Sequence, residues 1–138
     1  MTGDMATEHV ILGSQFPGLK AKPILLSFSQ RTSHAQLLNA LAGELQIQPR
    51  RHAWLTHETV FKELLARPRD IHLDGAHHLT WKALEVLRDL WDETESEGPL
   101  RTLRIVMIGK KGFVRKIAEK HPQLADRAHI FRTPEVNE

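Results

Sequence analysis

The stretch that most constrains the fold is Arg69-Asp70-Ile71-His72-Leu73-Asp74-Gly75-Ala76-His77-His78-Leu79-Thr80. Ile71 and Leu73 alternate with polar neighbours, as a pleated strand requires. The strand ends at Asp74, Gly75 offers a tight turn, and Thr80 is placed to cap a helix from Trp81 to about Thr94. A strand running through a turn into a helix is one βα unit and commits the chain to an α/β class. Open α/β sheets place ligands at the carboxyl ends of their strands, so Asp74 is the first candidate site residue.

The chain on either side repeats this alternation. Residues 1–8 are polar and expected to be disordered, and 9–12 read as a short strand. Pro23 to Phe28 reads as a buried strand through the run Ile24-Leu25-Leu26. Ser33-x-x-Gln36 is a capping box opening a helix to about Gln46, with Leu37, Leu38, Leu41 and Leu45 as its stripe. Thr56 is expected to cap a second helix that turns Val60, Phe61, Leu64 and Leu65 inward and stops before Pro68. Leu84, Leu87, Leu90 and Trp91 form the buried face of the helix after Thr80. Leu103 to Ile108 is the most apolar strand, closed by Gly109. A basic helix follows, from Lys111 or Gly112 to Lys120, with Phe113, Val114 and Ile117 inward and Pro122 as its end; Ala128 to Phe131 is a last short strand. This order predicts a three-layer α/β domain with a parallel sheet and right-handed crossovers over residues 23–132, an N-terminal segment 1–22 and a tail 133–138.

Composition narrows the function. A length of 138 residues suits one domain. The absence of cysteine excludes disulfides and thiolate metal sites and fits a cytoplasmic protein. No apolar run approaches the ~20 residues of a membrane span, and the first residues do not form a signal peptide. The net charge of +2 conceals an asymmetry: Glu85, Asp89, Asp92, Glu93, Glu95 and Glu97 make one helix and its exit acidic, and the sign reverses from Arg101 onward. Lys110, Lys111, Arg115, Lys116 and Lys120 are candidate contacts to nucleic acid, against the plainer alternative that the basic third pairs with the acidic helix. Among the tryptophans, Trp54 stands beside Arg50, Arg51 and His52 and is the candidate for a base contact. Nine histidines contain no His-Glu-x-x-His pattern, and the adjacent His77 and His78 are expected to diverge, so no metal site is expected. Ser27, Ser29 and Ser33 lack the glycines of a nucleophile elbow. Gly13-Ser14-Gln15-Phe16-Pro17-Gly18-Leu19-Lys20 superficially matches a phosphate loop. Its lysine is one place late, no Ser or Thr follows, and Pro17 removes an N–H from the cradle.

Four segments in order carry a family resemblance: Asp74-Gly75-Ala76-His77-His78-Leu79, Ala83-Leu84-Glu85-Val86-Leu87-Arg88-Asp89-Leu90, Ile105 to Gly109, and Pro122 to Arg127. From Pro23 to Arg132 the chain resembles the core of AAA+ ATPases of the P-loop NTPase class, in particular the DNA-transposition helper and secretion-associated ATPases. The resemblance implies that Asp74 is the Walker B acid on the Mg²⁺ side of a nucleotide. It implies a sensor strand from Ile105 to Gly109, with Lys110 at the position after it, and an arginine, Arg127, able to reach a neighbouring subunit's nucleotide. It also implies a central strand carrying a Walker A loop, between the sensor strand and the last strand.

The chain departs from that pattern where hydrolysis is decided. No Walker A loop is recognisable, Gly75 stands where a glutamate would activate water, and Lys110 replaces the small polar sensor residue. Asp70 and His72 are polar where the family's strand is apolar. The phosphate cradle, its lysine and Mg²⁺ supply most of the charge stabilisation in phosphoryl transfer, so no ATP hydrolysis and no catalytic residue are expected from this chain alone. The expected function is a non-hydrolytic binding or adaptor module, with DNA, a full-length AAA+ ATPase or transposase, or a second copy as partner. Mg-ATP enters only with a partner chain. The alternatives are a subunit lending Asp74 or Arg127 in trans, and a truncated structural remnant without ligand. If residues 9–12 fill the central slot, their link to Pro23 spans at most ~35 Å.

Overall fold

In the computed structural model, the described residues are 7–13, 23–48, 51–67, 69–95 and 103–132. They form an α/β fold around a five-stranded sheet. Its strands are β1 (Thr7–Leu12), β2 (Ile24–Ser27), β3 (Asp70–Asp74), β4 (Arg104–Lys110) and β5 (His129–Arg132). The helices are α1 (His34–Glu44), α2 (Ala53–Ala66), α3 (Trp81–Glu95), α4 (Phe113–Lys120) and α5 (Pro122–Arg127), with one 3₁₀ turn, Ala76–His78, before α3.

Local signals account for most of the ends. The capping box at α1 forms in both directions: Gln36 N–H donates to Ser33 Oγ at 3.2 Å and Ser33 N–H donates to Gln36 Oε1 at 2.9 Å. At α3, Ala83 N–H donates to Thr80 Oγ1 at 3.2 Å. One expectation at a helix end fails. Thr56 does not cap α2, which starts at Ala53 after His52; Thr56 is buried inside the helix. Pro122 opens α5 as well as ending α4, because a first helical position needs no N–H donor.

The strand order is β2-β3-β4-β1-β5. β2, β3 and β4 are parallel, and β1 runs antiparallel to both β4 and β5. The all-parallel sheet expected from the sequence is therefore corrected to a mixed one. Thr7 and Glu8, expected to be disordered, belong to β1, and β1 lies between β4 and β5 rather than outside the domain. Chain economy explains its direction. Leu12 pairs with Ile105 at the amino end of β4, and Ile24 begins β2 at the same rim. The two ends to be joined, Leu12 and Ile24, therefore lie at one rim only three strand spacings of ~4.8 Å apart. A parallel β1 would end at the opposite rim, and the link would also have to return the length of a strand.

The second correction concerns the layers. The connections β2→β3→β4→β5 all travel one way across the sheet. Right-handed crossovers then put all the helices on one face. Burial agrees: Val10, Leu12, Ile24, Ile71, Leu73, Ile105 and Met107 join the helix residues Leu37, Leu41, Leu64, Leu84, Leu87, Phe113 and Ile117 in one core. Among the described residues the fold has two layers, not three. The other sheet face carries the row Leu25–His72–Val106–Ile11–His129. Leu25, expected to be buried, is 65% exposed there. This also explains Asp70 and His72, which point away from the core. Arg104 grips Asp70 with two hydrogen bonds of 2.8 and 2.9 Å, and His72 Nε2 lies 3.2 Å from the same carboxylate.

Candidate functional site

The carboxyl rim of β3 is assembled by backbone pairing. Phe28 N–H donates to the Asp74 carbonyl at 2.9 Å, Thr32 N–H to the His78 carbonyl at 3.0 Å, and Thr80 N–H to the Thr32 carbonyl at 3.0 Å. The segment after β2 is thereby laced to the turn after β3, which brings Arg31 into one cleft with His77 and His78. Asp74 ends its strand at this rim between two parallel neighbours, and it is exposed.

Gly75 has φ +75°, and a Cβ there would collide with the Phe28 carbonyl oxygen. Any L side chain at this position, glutamate included, is excluded unless the end of β2 moves. The glycine at position 75 is thus tied to how tightly the end of β2 closes on β3.

Cations gather around His77. Lys110 N–H donates to His77 Nδ1 at 3.3 Å, and Lys116 Nζ lies 3.5 Å from the His77 carbonyl. His77 and His78 do not diverge as expected; the 3₁₀ turn sets their ring centroids 4.1 Å apart. Burial, followed by the charges of His78, Lys110 and Lys116, holds the His77 imidazole below its ordinary value, against an opposing pull from Asp74. Two clefts share His77, His78 and Lys116. One, of about 350 Å³, adds Lys110, Lys111 and Gly112; the other, of about 310 Å³, adds Arg31, Thr80 and Trp81.

The remaining sequence candidates are dispersed. Arg115 is exposed and lies 3.7 Å from Glu119 one helical turn on. Lys120 is exposed at the end of α4. Arg127 does not face the rim; it binds Asp92 of α3 at 2.9 Å and donates to the Gln123 carbonyl. The acidic helix is also neutralised by Arg88, which reaches Glu85 and Asp92. Burial would raise the Glu85 carboxyl, but hydrogen bonds from His121 and Arg88 outweigh it and hold it low. The pairing of the basic third with the acidic helix is therefore real for Arg127, while Lys110 and Lys116 turn to the rim.

Nothing at this rim forms a triphosphate cradle among the described residues. β1 runs the wrong way to deliver a loop here. Gly13, at its end, lies at the opposite rim, where an added Cβ would approach the Leu103 carbonyl oxygen to 2.6 Å. Residues 14–20 of the loop-like stretch lie outside the described residues. The Val114 N–H in the first turn of α4 donates to Glu8 Oε1 at 2.7 Å, so β1 contributes a carboxylate where an anion would otherwise dock. Among the described residues no group of three or more His, Asp or Glu side chains is placed to hold a metal ion. No described helix is long and apolar enough to cross a membrane.

Arg31 and Trp81 are rim residues that the sequence did not single out. Arg31 is 46 positions from His77, and only the β2–β3 register brings them together. The signal for Trp81 was present: it begins the helix directly after the candidate acid. Trp91 is buried, as expected of a core aromatic, whereas Trp54 is 64% exposed on α2.

No protein-family model matches the chain, and no match was found among curated proteins or solved structures.

Proposed function

We propose that the chain is a non-hydrolytic nucleic-acid-binding adaptor, an AAA+-like relative of the DNA-transposition helper ATPases that has lost its triphosphate site. The observation supporting this reading is the charge on the carboxyl rim. Lys110, Lys116, His77, His78 and Arg31 line two adjoining clefts there, and after burial the charges of His78, Lys110 and Lys116 lower the proton affinity of His77. Phosphodiesters are the common biological anions that meet such a surface without needing a chelating cradle. The resemblance around Asp74 accounts for where the site lies. The reversed β1, the Glu8 cap and Gly75 argue for the loss of hydrolysis.

Fluorescence anisotropy with a labelled oligonucleotide tests it. Binding at about 50 mM salt should weaken at least tenfold by about 200 mM, as release of condensed counterions requires. The double variant Lys110→Ala/Lys116→Ala should lose most of the affinity and flatten the salt dependence. Absence of binding at the lower salt, or binding indifferent to salt, refutes the proposal. Phosphate release from Mg-ATP should stay at background; turnover abolished by Asp74→Ala would refute the loss of hydrolysis.

A further inference from the structure

We infer that Trp81 is a stacking platform for an unpaired base, so that the ligand of the rim is a single-stranded polynucleotide. This inference rests on the nucleic-acid reading above and narrows it.

Trp81 is 55% exposed, yet it is not a loose surface side chain. Its indole Nε1–H donates to the Lys120 carbonyl at 3.4 Å. Its ring lies over His121, with centroids 5.6 Å apart and planes 28° from parallel. His121 is itself buried, and its Nδ1 is 3.1 Å from Glu85 Oε2. One face of the indole is therefore backed by protein and the other is turned outward. A ring already held in place loses little conformational freedom when a second ring settles on it.

The surroundings select the ligand. The cleft beside Trp81, about 310 Å³, carries Arg31, Lys116, His77 and His78, and among the described residues no acid lines it. A flat apolar face next to convergent cations matches a base attached to its phosphates, the pairing used by proteins that track single strands. Bases inside a duplex keep their faces in the stack, so a duplex cannot use the indole. Trp54 does not compete for this role. It stands one helical turn before His57, which meets Glu93 at the end of α3, whereas Trp81 begins that helix.

The decisive measurement uses four probes at fixed low salt: an oligothymidylate and an oligouridylate of about fifteen nucleotides, a DNA duplex of about the same length, and heparin as a polyanion without bases. Binding of either oligonucleotide should quench the tryptophan fluorescence of the wild-type chain. Trp81→Ala should weaken oligonucleotide binding roughly ten- to a hundredfold, the range of one base–aromatic stack. The same variant should leave heparin binding within about twofold, since charge alone holds that probe. Trp81→Phe, which keeps a ring, should recover much of the loss, and a thermal melt of both variants checks that the fold is intact. Preference for thymidylate or uridylate identifies DNA or RNA as the source, and either supports the inference. Equal loss toward heparin and oligonucleotide, or a duplex bound as tightly as the single strand with Trp81→Ala silent, overturns stacking but leaves the nucleic-acid reading standing. Failure of every oligonucleotide to bind removes both.

Discussion

At the scale of single residues, Gly75 and Asp70 carry sharp tests. Gly75 joins a positive φ to a backbone contact, and both oppose a side chain. Gly75→Ala should therefore destabilise the fold by about 2–4 kcal/mol, the sum of αL strain and a displaced strand end; a denaturant titration measures it. Asp70 reports on acid stability. Burial alone would raise its carboxyl, but hydrogen bonds from Arg104 and His72, together with their charges, hold it below the ordinary aspartate value. A carboxyl lowered on folding adds stability that is present above its unfolded value and is lost as pH falls through the folded one. The unfolding midpoint should thus drop below about pH 4, and Asp70→Asn should flatten that drop. Arg104→Ala, which leaves the carboxylate half-buried without its fork, should cost on the order of 1–3 kcal/mol at neutral pH.

At the scale of elements, β1 is the strand on which the sheet depends. It joins β4 to β5, and without it β5 has no hydrogen-bonded neighbour. Leu12 is fully buried at the end of β1, so Leu12→Ala should cost about 2–5 kcal/mol. Removing residues 1–13 should abolish the cooperative thermal transition. A melt unchanged by that deletion would mean that β4 and β5 hold without a strand between them. The same element sets the chemistry of the rim: its reversed direction places Glu8 at α4 and Gly13 at the far rim. Helix stripes, the capping box and the apolar strands were legible in the sequence because each depends on near neighbours. The direction of β1 was not, since a short apolar segment reads the same either way.

At the scale of the whole molecule, charge and layering decide the ligand. Arg127 and Arg88 neutralise the acidic α3 internally, and the cations left at the rim give a small net charge a strong local field. Ligands should separate accordingly in a thermal-shift series. Millimolar Mg-ATP should leave the melting temperature unchanged, while an oligonucleotide well above its Kd should raise it, because only a ligand that prefers the folded chain stabilises it. A shift with Mg-ATP as large as that with the oligonucleotide would count against the loss of the triphosphate site. The exposure of Leu25 was hidden from the sequence for a related reason. The run Ile24-Leu25-Leu26 looks doubly buried, and only the one-way order of the crossovers leaves Leu25 bare.

The amino-acid sequence alone determined the α/β class, most of the helix and strand spans, and the position of Asp74 at a strand end. Those follow from periodicity, capping and turn chemistry, which act within a few residues. Tertiary structure alone decided the direction of β1, the exposure of Leu25, the exclusion of a side chain at position 75, and the meeting of Arg31 with the histidine turn. Each of these depends on strand register between segments tens of residues apart, and no local interaction encodes that register.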